Sequence, residues 1–392
     1  MRKHKIKFNK VKIKDICSIG DGAHASIKRM KEGILYLTSK NFQSGGLDLT
    51  NVDFISERDY EKYFLKKSNS ITNVKKNDVV FSIIGSIGMP YIIGENDEFG
   101  LSSSVAILRP DLTKVKSEYL YYWILSDVFQ GNLRNIKSGV AQGFISLGMI
   151  NNLPVMLPPL KNQNNITNIL STYDKLIENN NRRIQILEQT AEELYKEWFV
   201  RMRFPGYAKT KFEKGIPEGW EVERIGNMAS FKKGKNLRIT DAIAGGIPVI
   251  AGGIEPSCYH NESNTKAPVI TVSASGANAG YTRLNHIDVW ASDCSYIDIE
   301  DTDLIYYLYL LLKVSNKEIL NLQLGSAQPH VYARDLNNFK FLKPTENLMI
   351  EINNLAKKIF NQIRYLMQQN HNLIKQRDLL LPRLMNGTIT VK

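Results

Sequence analysis

The stretch GVAQGFISLGMINNLPVMLP at residues 139–158 returns as GSAQPHVYARDLNNFKFLKP at residues 325–344, 186 positions later and without a gap. Gly139, Ala141, Gln142, Asn151, Asn152 and Pro158 thus recur as Gly325, Ala327, Gln328, Asn337, Asn338 and Pro344. The register continues beyond the repeat itself. Ile166, Tyr173, Ile177, Leu187, Leu194 and Trp198 fall on Ile352, Ile359, Ile363, Leu373, Leu380 and Leu384. Two copies are too few for a solenoid, whose core needs several stacked units. A duplicated half predicts an internal pseudo-two-fold, suited to a target that is itself nearly two-fold.

Around the repeat, four segments alternate. Residues 1–158 and 205–344 read as globular; residues 159–204 and 345–392 read as helical. The globular segments share a frame of short β-rich runs. Gly33-Ile-Leu-Tyr-Leu matches Gly246-Ile-Pro-Val-Ile, and Val79-Val-Phe-Ser matches Ile270-Thr-Val-Ser, each bounded by Gly, Asn or Pro. A helix-like aromatic run follows in each half, Tyr119–Leu125 and Leu304–Leu312. The offset drifts from 209 at the opening pair Ile13 and Val222 through 213 and 191 to 186, so the frame is shared while the loops differ. Divergent loops on a common frame suit two readers of different targets.

The helical segments carry a heptad seam. In the first it is Ile166, Leu170, Tyr173, Ile177, Asn180, Ile184, Leu187, Ala191, Leu194 and Trp198; the steps alternate four and three, which is coiled-coil spacing. The second gives Ile352, Ala356, Ile359, Ile363, Leu366, Asn370, Leu373, Arg377, Leu380 and Leu384. Each helix would span roughly 60 Å, with Pro382 expected to kink or end the second. Antiparallel pairing that sets Asn180 against Asn370 would face Ile166 to Leu384 and Trp198 to Ile352. The expected fold is therefore α+β, with two similar globular domains separated by two long helices that pair as an antiparallel coiled coil.

The net charge of +12 points to a polyanion, and its distribution narrows the reading. Residues 1–158 hold 22 Lys+Arg against 15 Asp+Glu, or +7; residues 212–344 hold 13 against 15, or −2. Binding of nucleic acid by the second globular segment then needs a local patch such as Lys232, Lys233, Lys235 and Arg238. A solvated lysine-rich surface is the plainer alternative. On charge alone the first segment should grip random duplex more strongly.

Much chemistry has no motif here. No phosphate-binding loop is present, since Lys233-Gly-Lys-Asn lacks both the leading glycine and the hydroxyl. No dinucleotide fingerprint follows a strand, and Leu157-Pro-Pro-Leu lacks the polar lead and the aromatic of the amino-methylating signature. The six histidines are scattered without metal spacing, and Cys17, Cys258 and Cys294 are odd in number and unpaired in spacing. Asp298, Glu300, Asp301 and Asp303 cluster in an expected loop, where solvated acidity is the reading. No catalytic residue, metal or cofactor is expected. No stretch is long and apolar enough to span a membrane, the amino terminus lacks a signal-peptide core, and reduced thiols suggest the cytoplasm.

At these residues the chain resembles the specificity (S) subunits of type I restriction–modification enzymes. The resemblance rests on Leu157-Pro-Pro-Leu with Gln163, Leu194-Tyr-Lys-Glu-Trp-Phe-Val-Arg, Pro217-Glu-Gly-Trp-Glu and Leu380-Leu-Pro-Arg-Leu-Met-Asn-Gly. Gly252-Gly, Val272-Ser-Ala-Ser-Gly-Ala-Asn-Ala-Gly and Ala291-Ser-Asp look like one type of target recognition domain. Pro344-Thr-Glu-Asn departs from the Pro-Pro-x-x-x-Gln form kept by the first copy. The resemblance implies a DNA reader without catalysis, each globular domain taking one half of a split, asymmetric site. The paired helices would set the spacing and dock two methyltransferase subunits, and through them motor-nuclease subunits. A stand-alone coiled-coil regulator or decoy, and an enzyme acting alone on nucleic acid, are the readings this competes with.

Candidate double-stranded DNA contacts sit at expected strand ends and glycine-rich turns. They are Lys40, Asn41, Ser86 and Gln142 in the first half. In the second they are Lys232, Lys233, Lys235, Ser275, Asn278, Gln328 and His330. Asn and Gln can pair bidentately with adenine, and Lys reaches guanine or phosphate. Gln142 and Gln328 could equally hold their own loops.

Overall fold

The computed structural model describes residues 8–43, 45–65, 71–138, 145–323 and 329–391. It packs as two compact units, Met1–Glu178 with His371–Lys392, and Asn179–Asn370.

In the first unit, strand Val79–Ser82 is buried along its whole length, as its apolar run requires. It lies between Val105–Pro110 and Pro90–Ile92, with Cys17–Asp21 on the outer side of Val105–Pro110, all antiparallel. A second sheet sets Ile34–Leu37 antiparallel to Asp53–Ile55 and parallel to Phe99–Leu101. Strand Asn9–Lys12 pairs with Pro154–Leu157. Helix Ser117–Leu125 is apolar on nearly every face and correspondingly buried. Its Tyr119, Leu120 and Trp123 join Ile13, Phe81 and Leu108 in the core.

The second unit repeats this plan strand for strand. Lys232–Lys233, Cys294–Asp298, Val269–Ser273 and Thr282–Asn285 form a sheet in the same order. Ile247–Ile250 again has one antiparallel neighbour, Cys258–His260, and one parallel, Trp290–Ala291. Glu221–Arg224 pairs with Lys340–Lys343, and helix Ile305–Val314 takes the buried aromatic place. The correspondence extends to single hydrogen bonds. The Gly22 N–H donates to Val105 and the Gly234 N–H to Cys294, while the Ile83 N–H donates to Ser104 and the Ala274 N–H to Asp293. Both glycines are needed sterically: a Cβ would lie 2.1 Å from the Leu101 carbonyl oxygen at Gly22 and 2.2 Å from that of Ser292 at Gly234. The extra length of the first unit includes the segment between Ile55 and Val79, which carries helical turns at Glu57–Leu65.

The long helices span Leu160–Tyr195, continued by a π-helical turn at Lys196–Val200, and Glu346–Met385. Every seam position predicted from the heptads is buried or half-buried. In the first unit the two segments run antiparallel: Asn162 donates to the Val391 carbonyl and Asp174 pairs with Arg377 at 2.7 Å. Ile166, Leu170 and Leu384 enter one core there. In the second unit Asn180 Nδ2 donates to Asn370 Oδ1 at 2.9 Å, and Ala191, Trp198, Ile352 and Ile363 share a core. Pro382 does not end its helix, which continues to Met385. The ring removes one donor near a terminus, and burial of Leu384 and Met385 holds the following turn in place.

The missing Pro-Pro-x-x-x-Gln form in the second copy has a structural counterpart. Gln163 is fully buried, accepts from the Lys116 N–H at 2.9 Å and donates to the Lys114 and Pro158 carbonyls. It thereby fixes the start of helix Ser117–Leu125. In the second unit Asn353 does this for helix Ile305–Val314, accepting from the Tyr306 and Tyr307 N–H groups and donating to the Asp303 carbonyl.

Candidate nucleic-acid interface

In the second unit the ends of several strands enclose a groove of about 610 Å³. Lys233 stands on one side, at the end of a two-residue edge strand. The loop after Ser273 turns through Gly276 and Gly280, both left-handed (φ 79° and 86°). These turns return the chain so that the Gly280 N–H donates to the Ser273 carbonyl. The loop presents Ser275, whose hydroxyl donates to the Asp293 carboxylate. A bridge joins Ser275 to His330, whose ring stacks on Tyr332 with centroids 5.6 Å apart and planes 1° apart. The Arg334 guanidinium lies 5.7 Å from the Tyr332 centroid, its side chain 74% exposed. Cations, a flat aromatic pair and a fixed carboxylate acceptor thus face one concavity, the means by which proteins hold phosphates and read base edges.

Two of the predicted contacts, Lys233 and His330, line this groove, and a third, Ser275, bonds the Asp293 carboxylate of its wall. Lys232, its neighbour in sequence, points elsewhere. Its ammonium lies 2.8 Å from Asp301 and 3.9 Å from Asp298 and over the Tyr296 ring. Burial works against its charge, but those carboxylates outweigh it and hold the lysine above its ordinary pKa. Lys235 is exposed, 5.7 Å from the Trp290 centroid, and Asn278 closes the glycine-rich turn through its carbonyl. Gln142 and Gln328 lie outside the described residues. In the first unit Lys40 is exposed on the short turn Ser39–Asn41. Asn41 beside it is buried, accepting from the Thr38 N–H and donating to the Asp48 and Asn51 carbonyls. Ser86 is exposed on the glycine-rich loop after strand Val79–Ser82, and its carbonyl accepts from the Ser82 hydroxyl.

Asp293, Tyr332 and Arg334 belong to the groove and were not among the predicted contacts. The signal for Asp293 was the Ala291-Ser-Asp stretch itself; for Tyr332 and Arg334 it was the 186 offset, which sets them on Ser146 and Gly148. The acidic cluster also differs from expectation. Asp298 ends a strand, is 2% exposed, and accepts from the Lys266 and Glu300 N–H groups. Burial, partly offset by those donors and Lys232, raises its pKa. Burial likewise pushes the Cys17 and Cys294 thiols up to about 12, leaving them protonated and unreactive. Among the described residues no cluster of His, Cys, Asp and Glu could hold a metal, and no helix is long and apolar enough to cross a membrane.

The family model for the type I restriction modification DNA specificity domain matches residues 5–189 and again residues 217–376. The chain belongs to this family. It carries the specificity domain twice, and each match joins one globular frame to most of one long helix. The type I restriction enzyme MjaIX specificity subunit of Methanocaldococcus jannaschii is 26% identical, over 97% of this chain and 93% of that protein. The MjaVIII specificity subunit of the same organism is 24% identical, over 84% and 83%. Among solved structures, the S subunit of a type I restriction–modification system from M. genitalium superposes with a TM-score of 0.59 at 17% identity, covering 98% of each chain. That likeness shows a fold common to this chain and that one.

Proposed function

We propose that this chain is the DNA-reading, non-catalytic subunit of a type I restriction–modification complex, acting in the cytoplasm. The domains at 1–158 and 205–344 each read one half of a bipartite, asymmetric site. The helices at 159–204 and 345–392 set the spacer and dock two methyltransferase subunits, through which motor-nuclease subunits join. One observation carries the reading. Two frames identical in topology place different chemistry at equivalent backbone positions, Asp21 against Lys233 and Ser104 against Asp293. Unlike side chains on like frames are what an asymmetric site asks of its readers. Lys40, Ser86, Lys233, Lys235, Ser275 and His330 are the proposed contacts. Asn41 serves by holding the turn that presents Lys40, and Lys232 by fixing its strand to Asp301.

Methylome sequencing of the host with and without the gene tests this. The expected result is loss of one split motif on deletion. Purified chain alone should leave DNA unmodified, and chain with its methyltransferase partner should methylate that motif. A methylome unchanged by deletion would leave a stand-alone coiled-coil regulator as the reading; methylation by the chain alone would make it an enzyme.

A further inference from the structure

Asp293 is the one carboxylate among the described residues lining the groove, where Lys233, His330 and Arg334 favour an anion. A carboxylate turned toward DNA repels phosphate and weakens non-specific binding. It is therefore an unfavourable occupant unless it meets a donor, and the donors on base edges in the major groove are the exocyclic amino groups of adenine and cytosine. The carboxylate is also held in a set orientation. Ser275 donates to its Oδ2, its backbone carbonyl accepts from the Ala274 N–H, and Gly252 lies behind the pair, where a Cβ would sit 3.6 Å from Oδ2. Among the described residues Oδ1 has no such partner and is left to accept. The equivalent position of the first unit is Ser104, whose carbonyl makes the same bond to Ile83. The Ser104 hydroxyl is held within the fold, accepting from the Ser39 N–H and pairing with Ser102, so it does not select a base as a free carboxylate oxygen does.

Resting on the DNA-reading function proposed above, we infer that Asp293, oriented by Ser275, is a specificity-determining residue that selects an adenine or cytosine amino group at one position of the half-site read by the second domain. Arg334 and Lys233 grip the flanking phosphates. The counterpart selection is absent from the first domain.

The test uses the full chain with its methyltransferase partner on a randomised duplex library, methylated products being sequenced. Wild type should fix one base pair in one orientation at the Asp293-dependent position, an A·T pair reporting the adenine amino group and a G·C pair the cytosine amino group. Asp293→Ala should relax that single position by roughly tenfold or more and leave the other half-site unchanged. Asp293→Asn keeps the oxygen for Ser275 but presents an amide donor outward, so preference should move to a base offering an acceptor. Arg334→Ala should weaken all sequences evenly. Equal loss across all sequences with either Asp293 variant, or an Asp293→Asn complex that keeps the wild-type base pair in the wild-type orientation, overturns the inference. A wild-type complex that methylates but selects no split motif would instead overturn the function on which it rests.

Discussion

Asn180 and Asn370 sit in a seam that is otherwise apolar but for Arg377, 5% and 7% exposed; Asn180 donates to Asn370 and Gln369, and Asn370 donates to Asn181. A buried amide pair is satisfied in one register only, so it fixes alignment at some cost in stability. Asn370→Ala leaves the buried Asn180 amide with Gln369 as its one acceptor here and opens a gap in the seam, and should lower stability by about 1–3 kcal/mol. The double change Asn180→Leu with Asn370→Leu should recover that loss, since apolar side chains then meet where the amides did. Urea midpoints decide it, and a single variant as stable as wild type would show the pair to be incidental. His286 gives a pH dependence. Burial, with Arg364 nearby, pushes its pKa down to about 4, so the folded state holds it neutral where the unfolded chain would charge it near 6.5. Its contribution is complete above pH 6.5 and is lost as pH falls toward 4. Because the ring is half-buried, about 1–3 kcal/mol should go over that window. His286→Phe should flatten that part of the stability–pH curve. Neither partner of these residues is adjacent in sequence, but the amide pair followed from heptad spacing alone, whereas nothing near His286 named Arg364.

Single elements depend on side chains at their termini. Gln163→Leu leaves the Lys116 N–H and two carbonyls without partners at the start of a buried helix, which should cost about 1–3 kcal/mol. Asn353→Leu strands two adjacent N–H groups and should cost more than Gln163→Leu. Calorimetry of both variants checks the ranking, and equal or negligible losses would mean that water replaces the amides. What could be read beforehand follows the same division. The long helices were legible because a 3.5-residue seam repeats over some forty residues and shows in any window. The frame strands showed as short β-branched runs. Their partners did not, because Asn9–Lys12 meets Pro154–Leu157 and Cys17–Asp21 meets Val105–Pro110 across long loops. The groove was half legible. Lys233, Ser275 and His330 came from turn chemistry, while the diversion of Lys232 to Asp301 depends on strand pairing that no local pattern records.

At the scale of the molecule the two globular segments share a plan and differ in charge, +7 for residues 1–158 against −2 for residues 212–344. Non-specific affinity follows phosphate contacts, each of which steepens the salt dependence by about one unit of slope. In the intact protein Lys40→Gln and Lys233→Gln should each reduce that slope by about one, and Lys232→Gln should leave it unchanged while lowering stability. Titration against unrelated duplex at several salt concentrations measures this, and a slope lost at Lys232 would mean that its link to Asp301 opens on DNA. The division into units also sets an order of events during synthesis. Asn179–Asn370 is one uninterrupted segment, so its core is complete once residue 370 leaves the ribosome. The first unit is translated earlier yet waits for Leu384 and Met385 to cover Ile166 and Leu170. The half made first is finished last, and a message stopped at codon 370 should release one closed unit and one with an open apolar flank, the form most exposed to chaperones and proteases.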